Sequence, residues 1–416
     1  MTVALERDTL GRNFLKLWFG QSVSLVGSEV TQLAMPLLAV LVLGASASEM
    51  GVLRAVQFAP VLVALPVGVL ADRVLRRPLL IGADLGRGLL LAWIPLAALL
   101  GWLAMPQLYI IAVLSGALTV VFSVAYMAYL PGLVEPRRLL EANSRLEISR
   151  SAAHAGGPAL AGLLIQAFSA PAALLVDAAS FVVSAFSMWV IRRAEPLPRR
   201  TSGEQPRMWP DIKAGLRTVA QQPILRATTL ASATWNFFSG GIGDALFVLF
   251  YARELQLSAA QIAALFTVSG VSGVVGALNT TRVTRRFGLG PSAIAAFAFT
   301  SAGTFAIPFI RGSPEQVLVI LGGLMVVFGL GTSMVFVVLG SLRQAFSPPE
   351  LIGRVGASTR FLLIAVVPVG ALLGGALGDA IGLRGALLVA GLGVLATPVW
   401  LFLSPVRTLR SLDQAS

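Results

Sequence analysis

Twelve stretches of about 20 or more mainly apolar residues follow one another along this chain, and that repetition limits the fold more than any other feature. A helix needs about 20 such residues to cross the hydrocarbon of a bilayer. The stretches lie near 15–43, 48–71, 78–102, 106–131, 146–168 and 171–191, then near 225–252, 258–281, 288–311, 314–342, 355–381 and 384–403. Only 12% of the residues are charged, against about 25% in a soluble domain, too few to cover a soluble surface. The chain reads as an all-α membrane protein with twelve transmembrane helices. Ala45-Ser46-Ala47 resembles a signal-peptide cleavage site. The apolar stretch before it exceeds the roughly 7–15 residues of a signal core and carries Glu29, so it reads as a retained span.

Alternate gaps between the stretches differ in charge. One set holds Arg73, Arg76 and Arg77, then Arg137, Arg138 and Arg145, the long segment 192–222, Arg282, Arg285 and Arg286, and Arg343 with Arg354. The other set is nearly bare. The positive-inside rule then places both termini and the long segment in the cytoplasm. The net charge of +12 is accounted for in this way, without nucleic acid as a partner.

"DRVLRR" at 72–77 returns as "TRVTRR" at 281–286, an offset of 209, and "PAALLV" at 171–176 as "RGALLV" at 384–389, an offset of 213. A near-constant offset means a duplicated unit. The expected organisation is two pseudo-symmetric six-helix bundles, 1–195 and 223–416, joined by a cytoplasmic linker, 196–222. In that linker Trp209, Ile212, Leu216 and Val219 take helical spacing, with Lys213 and Arg217 between them, as an interfacial helix would.

The chain has no cysteine and one histidine, His154, which removes disulfides and Cys/His metal sites. Neither lysine, Lys16 or Lys213, follows a glycine, so a phosphate-binding Gly-Lys-Ser/Thr loop is absent too. No cofactor and no enzymatic constellation are expected.

Two six-helix halves, a cytoplasmic centre and "GVLADRVLRR" between the second and third spans resemble the major facilitator superfamily. Its loop signature is matched by Gly68, Leu70, Ala71, Asp72, Arg73, Arg76 and Arg77; Leu75 replaces a later glycine and Thr281 the second-half aspartate. The resemblance implies that Asp72 meets the N-terminus of the eleventh span, near Val355, where the helix dipole favours a carboxylate. Gly68, Asp72, Arg73, Arg76 and Arg77 would then form a conformational latch. In the fifth span Gly157, Pro158 and Gly162 resemble a signature of drug:proton antiporters, with Ala153 and Ala161 in place of glycines. "LSAAQIAALF" and "PELIGRV" resemble the twelve-span drug and siderophore exporter branch, which includes the enterobactin exporter and macrolide efflux proteins.

With no site for ATP, an ion gradient is the expected energy source, of protons or of sodium ions. Coupling needs a group that holds an ion or a substrate but not both, and a desolvated carboxylate suits this. Glu29 in the first span, with Gln32 three residues on and on the same face, and Asp244 in the seventh, with Asn236 before it, are the leading candidates. Asp84 and Arg87, one turn apart, are expected to pair. His154, Asp177 and Arg360 are weaker candidates, and Arg54 is expected to reach the outer interface. The implied protein is a monomeric, proton-coupled exporter of drug-like compounds or of a secreted metabolite such as a siderophore, in a bacterial inner membrane. An importer or facilitator of a small nutrient is the alternative, and a membrane sensor or assembly protein a further one.

Overall fold

The computed structural model describes residues 10–60, 74–191 and 208–411, and for 208–212 the backbone alone. Among the described residues every regular element is a helix. In chain order these are α1 Arg12–Leu41, α2 Ala47–Phe58, α3 Arg76–Leu99, α4 Met105–Leu133, α5 Leu139–Ala167, α6 Ala170–Val190 and α7 Met208–Gln221. Then come α8 Pro223–Trp235, a π-helical segment Asn236–Gly243, α9 Asp244–Arg253, α10 Ala259–Phe287, α11 Leu289–Ala306, α12 Pro314–Phe346, α13 Ile352–Leu395 and α14 Thr397–Phe402.

Eight helical stretches among the described residues are long and apolar enough to cross a membrane. The run near 48–71 is described only as far as residue 60, and the others differ from single spans for physical reasons. The run from α8 to α9 is cut into short pieces by the π segment. α13 holds two runs, broken at Gly382, whose φ is +78°. Glycine adopts that conformation readily and other residues do not. α5 begins at Leu139, ahead of the expected start of its apolar run, because its first half is a charged helix. There Glu141 accepts from Arg145, one turn on, at 3.0 Å, a pairing that supports a helix exposed to water.

The chain forms two compact units, Met1–Met35 with Ala59–Thr201, and Pro36–Phe58 with Ser202–Ser416. In the first, Phe14 and Leu17 of α1, Leu80 of α3, Phe122 and Tyr129 of α4 and Met188 of α6 form a common core. Large apolar side chains such as Leu89, Leu99 and Met127 stay exposed, as suits a surface that faces lipid.

In the second unit, Ile224 of α8, Phe297 of α11, Val338 and Leu342 of α12 and Leu401 of α14 share a core. The glycines of α13 let neighbouring backbones approach, as small residues do in membrane helices. A Cβ at Gly370 would meet the carbonyl of Phe237 in the π segment, and one at Gly375 the backbone of α2 at Ala47 and Ser48. The start of α2 is closed by a reciprocal cap: Ser46 N donates to Glu49 Oε2 at 2.7 Å and Glu49 N to Ser46 Oγ at 3.2 Å. α10 begins with the same cap, Ser258 with Gln261. The Ala45-Ser46-Ala47 triplet is thus a turn and helix start. Asp379 of α13 accepts from the backbone N–H groups of Ala47 and Ser48, both at 3.2 Å. A carboxylate therefore sits at the N-terminus of α2, where the helix dipole favours it.

α7 keeps Lys213 and Arg217 exposed and buries Val219 with Leu225 and Val355. The side chains of Trp209 and Ile212 lie outside the described residues.

Candidate functional site

In the first unit, α1 and α5 are joined along a polar seam. Trp18 Nε1 donates to Ser149 Oγ at 3.0 Å, and Ser22 Oγ to the same oxygen at 2.8 Å. Further along α1, Glu29 accepts from His154 Nδ1 at 3.3 Å, in the tautomer that carries its proton there. Gly157 makes the pair geometrically possible, since any Cβ at that position would overlap Glu29 Cβ. The Glu29 side chain is 17% exposed and that of His154 70% exposed, so one group is sheltered while its partner is open. Three residues drawn from separate motifs therefore meet at one place. Gln32 is exposed on α1; Pro158 and Gly162 continue α5, with Gly162 buried.

A second cluster lies wholly inside this unit. Asp84 and Arg87 of α3 form an ion pair one turn apart, both buried. The Arg87 guanidinium lies between the rings of Phe122, 4.7 Å away, and Phe181, 4.1 Å away, and donates to Thr119 Oγ1 at 3.4 Å. Ring faces on both sides attract the cation. Asp177 of α6 is within electrostatic reach of the same guanidinium. It accepts from Thr31 Oγ1 at 2.6 Å and Ser180 Oγ at 2.9 Å.

Gly68, Asp72 and Arg73 of the expected latch lie outside the described residues. Arg76 donates to the carbonyl of Ala128 at 3.2 Å, and Arg77 to that of Met188 at 3.0 Å. Arg77 thereby caps the end of α6, where the last carbonyls lack their regular helical partners.

In the second unit, Asp244 opens α9 and pairs with Arg54 of α2 at 2.6 Å. Arg54 also donates to the carbonyl of Gly240 at 3.4 Å and lies over the Phe58 ring, 4.8 Å from its centre, so its partners belong to the same unit. Asn236 donates to the carbonyl of Leu363 at 2.9 Å. Arg360 is exposed on α13.

Beside Asn236 a cavity of about 260 Å³ opens between α8, α11, α12 and α13. Ser232, Trp235 and Asn236 line it from one side, Thr300 from another, and Phe336 and Arg343 from α12. Trp235 is braced by Phe297 and Phe328, their ring centres 5.8 and 5.9 Å away. Sequence alone counts Arg343 among the gap charges, whereas the structure sets it in the last turn of α12, facing α8. The signal was present in the spacing. Thr332, Val335, Phe336, Leu339 and Arg343 follow one helical stripe, and Ser232, Trp235 and Asn236 another, because residues three and four apart share a helix face.

Comparison with known proteins agrees with the all-helical fold. The chain is 24% identical over 386 residues to Macrolide efflux protein A of Streptococcus pyogenes, covering 91% of this chain and 92% of that protein. It is 25% identical over 409 residues to Multidrug efflux pump Tap of Mycolicibacterium fortuitum, covering 97% of each. Among solved structures, a bacterial homologue of the iron transporter ferroportin in an inward-facing state superposes with a TM-score of 0.74, at 18% identity over 95% of this chain and 98% of that one. The nucleoside transporter NupG gives 0.71 at 12% identity, over 94% and 98%. The family model of the Major Facilitator Superfamily matches residues 17–363, most of the chain. The protein belongs to that superfamily, and is one of its membrane transporters.

Proposed function

We propose that the protein is a proton-coupled exporter of drug-like compounds or of a secreted metabolite, working by alternating access between its homologous halves, 1–195 and 223–416. In this reading the chain crosses a bacterial inner membrane twelve times, as a monomer, with both termini and the linker 196–222 in the cytoplasm. Asp72, with Gly68 and the neighbouring arginines, latches the cytoplasmic side.

The observation that carries the coupling is the Glu29–His154 pair seated over Gly157. A sheltered carboxylate within hydrogen-bond reach of an exposed imidazole has a route by which a proton arrives and leaves. The pair can give up a proton when substrate binds nearby and regain one through the exposed imidazole when substrate has gone. That exchange is what antiport requires. The efflux proteins among the relatives support the outward direction.

The test is accumulation of a panel of fluorescent drugs in an efflux-deficient bacterium. Wild type is expected to lower accumulation, and both a protonophore and Glu29→Gln to restore it. If the protonophore restores it and Glu29→Gln does not, coupling lies elsewhere. If the wild type raises accumulation, the protein is an importer and the proposal fails.

A further inference from the structure

We infer that the cavity of the second unit binds a small organic anion, a carboxylate borne on a flat ring system, with Arg343 as its counter-charge and Trp235 as its platform. The inference depends on the exporter reading only in that it makes the bound molecule the cargo.

Charge is the first ground. An arginine that served topology alone would extend to water or head groups. Arg343 instead turns against α8, where its Nη2 donates to the carbonyl of Thr228 at 3.4 Å and to Ser232 Oγ. Its Nε is buried with no hydrogen-bond partner. Among the described residues no carboxylate pairs with it, and none lines the cavity. In this unit Asp244 is held by Arg54, Glu254 by Arg384, and Asp379 lies at the start of α2. Holding a partly buried guanidinium away from water without a counter-charge is costly, and a ligand anion would relieve that cost. Its planar fork matches the two oxygens of a carboxylate, as it does those of a phosphate, and the largely apolar, aromatic lining favours the singly charged carboxylate.

The walls are the second ground. Trp235, Phe297 and Phe336 are among the residues that line the cavity, and Phe328 packs against the indole. The third is size. The space measures about 260 Å³. That falls just below the roughly 300 Å³ at which sites for whole drug-sized ligands begin. It suits one or two fused rings with a charged substituent, either a small cargo or the head of a larger one.

The test is equilibrium dialysis of the purified full chain in lipid nanodiscs against two probes of matched shape, 2-naphthoate and 2-naphthylmethylammonium, read by naphthalene emission. Wild type is expected to bind the carboxylate at least about tenfold more tightly, from the usual worth of a hydrogen bond to a charged group. Arg343→Gln should weaken naphthoate by about ten- to a hundredfold on the same basis and leave the ammonium where it was. Arg343→Lys should keep most of the preference, and Trp235→Ala should weaken both probes together. Equal binding of the two probes by wild type overturns the inference, as does Arg343→Gln with unchanged naphthoate affinity. The wild-type comparison needs no variant to fold. Equilibrium binding needs no gradient either. Selective naphthoate binding without drug export would retire the exporter reading and leave this site standing; export without the selectivity would do the reverse.

Discussion

The two units bury opposite charge. In the first, Asp84, Arg87 and Asp177 bring two carboxylates and one guanidinium into a closed cluster, with Phe122 and Phe181 on either face of the arginine. In the second, Arg343 stands in an open cavity that no acid among the described residues lines. The internal repeat explains neither. At offsets of 209 to 213, Asp84 and Arg87 correspond to positions within 293–300 and Asp177 to 386–390, and Arg343 to 130–134, and none of these stretches holds an ionisable residue. Neither charged site therefore has an ionisable counterpart at the offset of the sequence repeat. A charge compensated by its own protein serves the fold, whereas one left uncompensated is available to a ligand. The Glu29–His154 pair lies between these extremes, one partner sheltered and one open.

The largest effect is expected where buried charges are paired with one another. Arg87→Leu leaves two buried carboxylates without their counter-charge, and losing one partner of a buried ion pair costs roughly 3–5 kcal/mol. Thermal unfolding of the purified protein in detergent should show a large drop. Adding Asp84→Leu should recover at least half of it, since an apolar pair of similar volume is often as stable as an ion pair. An Arg87→Leu protein that melts with wild type would show that the cluster is not what holds α3, α4 and α6 together.

Next comes the half-open pair. Gly157→Ala places a methyl where Glu29 Cβ already lies, so α1 and α5 must part. Overpacking of this kind costs about 1–3 kcal/mol. Drug efflux should fall further than stability, because Glu29 and His154 lose their register. Equal efflux by Gly157→Ala and wild type would separate the glycine from the carboxylate's function.

A weaker effect belongs to Gly382, where the break within α13 uses a positive φ. Gly382→Ala should cost about 1 kcal/mol, because the left-handed region is disfavoured once a Cβ is present. A loss of that size would show up as a small shift of the same melting curve, well short of the Arg87→Leu drop.

How far these sites could be read from sequence follows from how local their causes are. The apolar runs, the Asp84–Arg87 pair and the amphipathic character of α7 depend on residues within one helix, and spacing reveals them. The extension of α5 back to Leu139 was hidden because apolar content, the guide to a span, says nothing of a helix that continues into charge. Glu29 and His154 are 125 residues apart, and only the packing of α1 on α5 joins them. The Arg54–Asp244 pair is hidden for the same reason, its members 190 residues apart. Arg343 shows the opposite failure. A correct rule about positive charge near helix ends gives a sufficient account of it, and so conceals that its side chain turns inward.

The smallest expected effect sharpens the comparison most. Arg343→Gln removes a guanidinium that no carboxylate among the described residues compensates, so the fold loses hydrogen bonds to Ser232 and Thr228. It also sheds the cost of a desolvated charge. These nearly offset, and stability should stay within about 1 kcal/mol of wild type or rise slightly, as happens when a functional group sits at some expense to the fold. The melting curve that collapses for Arg87→Leu should barely move for Arg343→Gln, even as naphthoate binding is lost. Should Arg343→Gln melt as early as Arg87→Leu, Arg343 would be a structural arginine too, and the contrast between a compensated and an uncompensated charge would disappear.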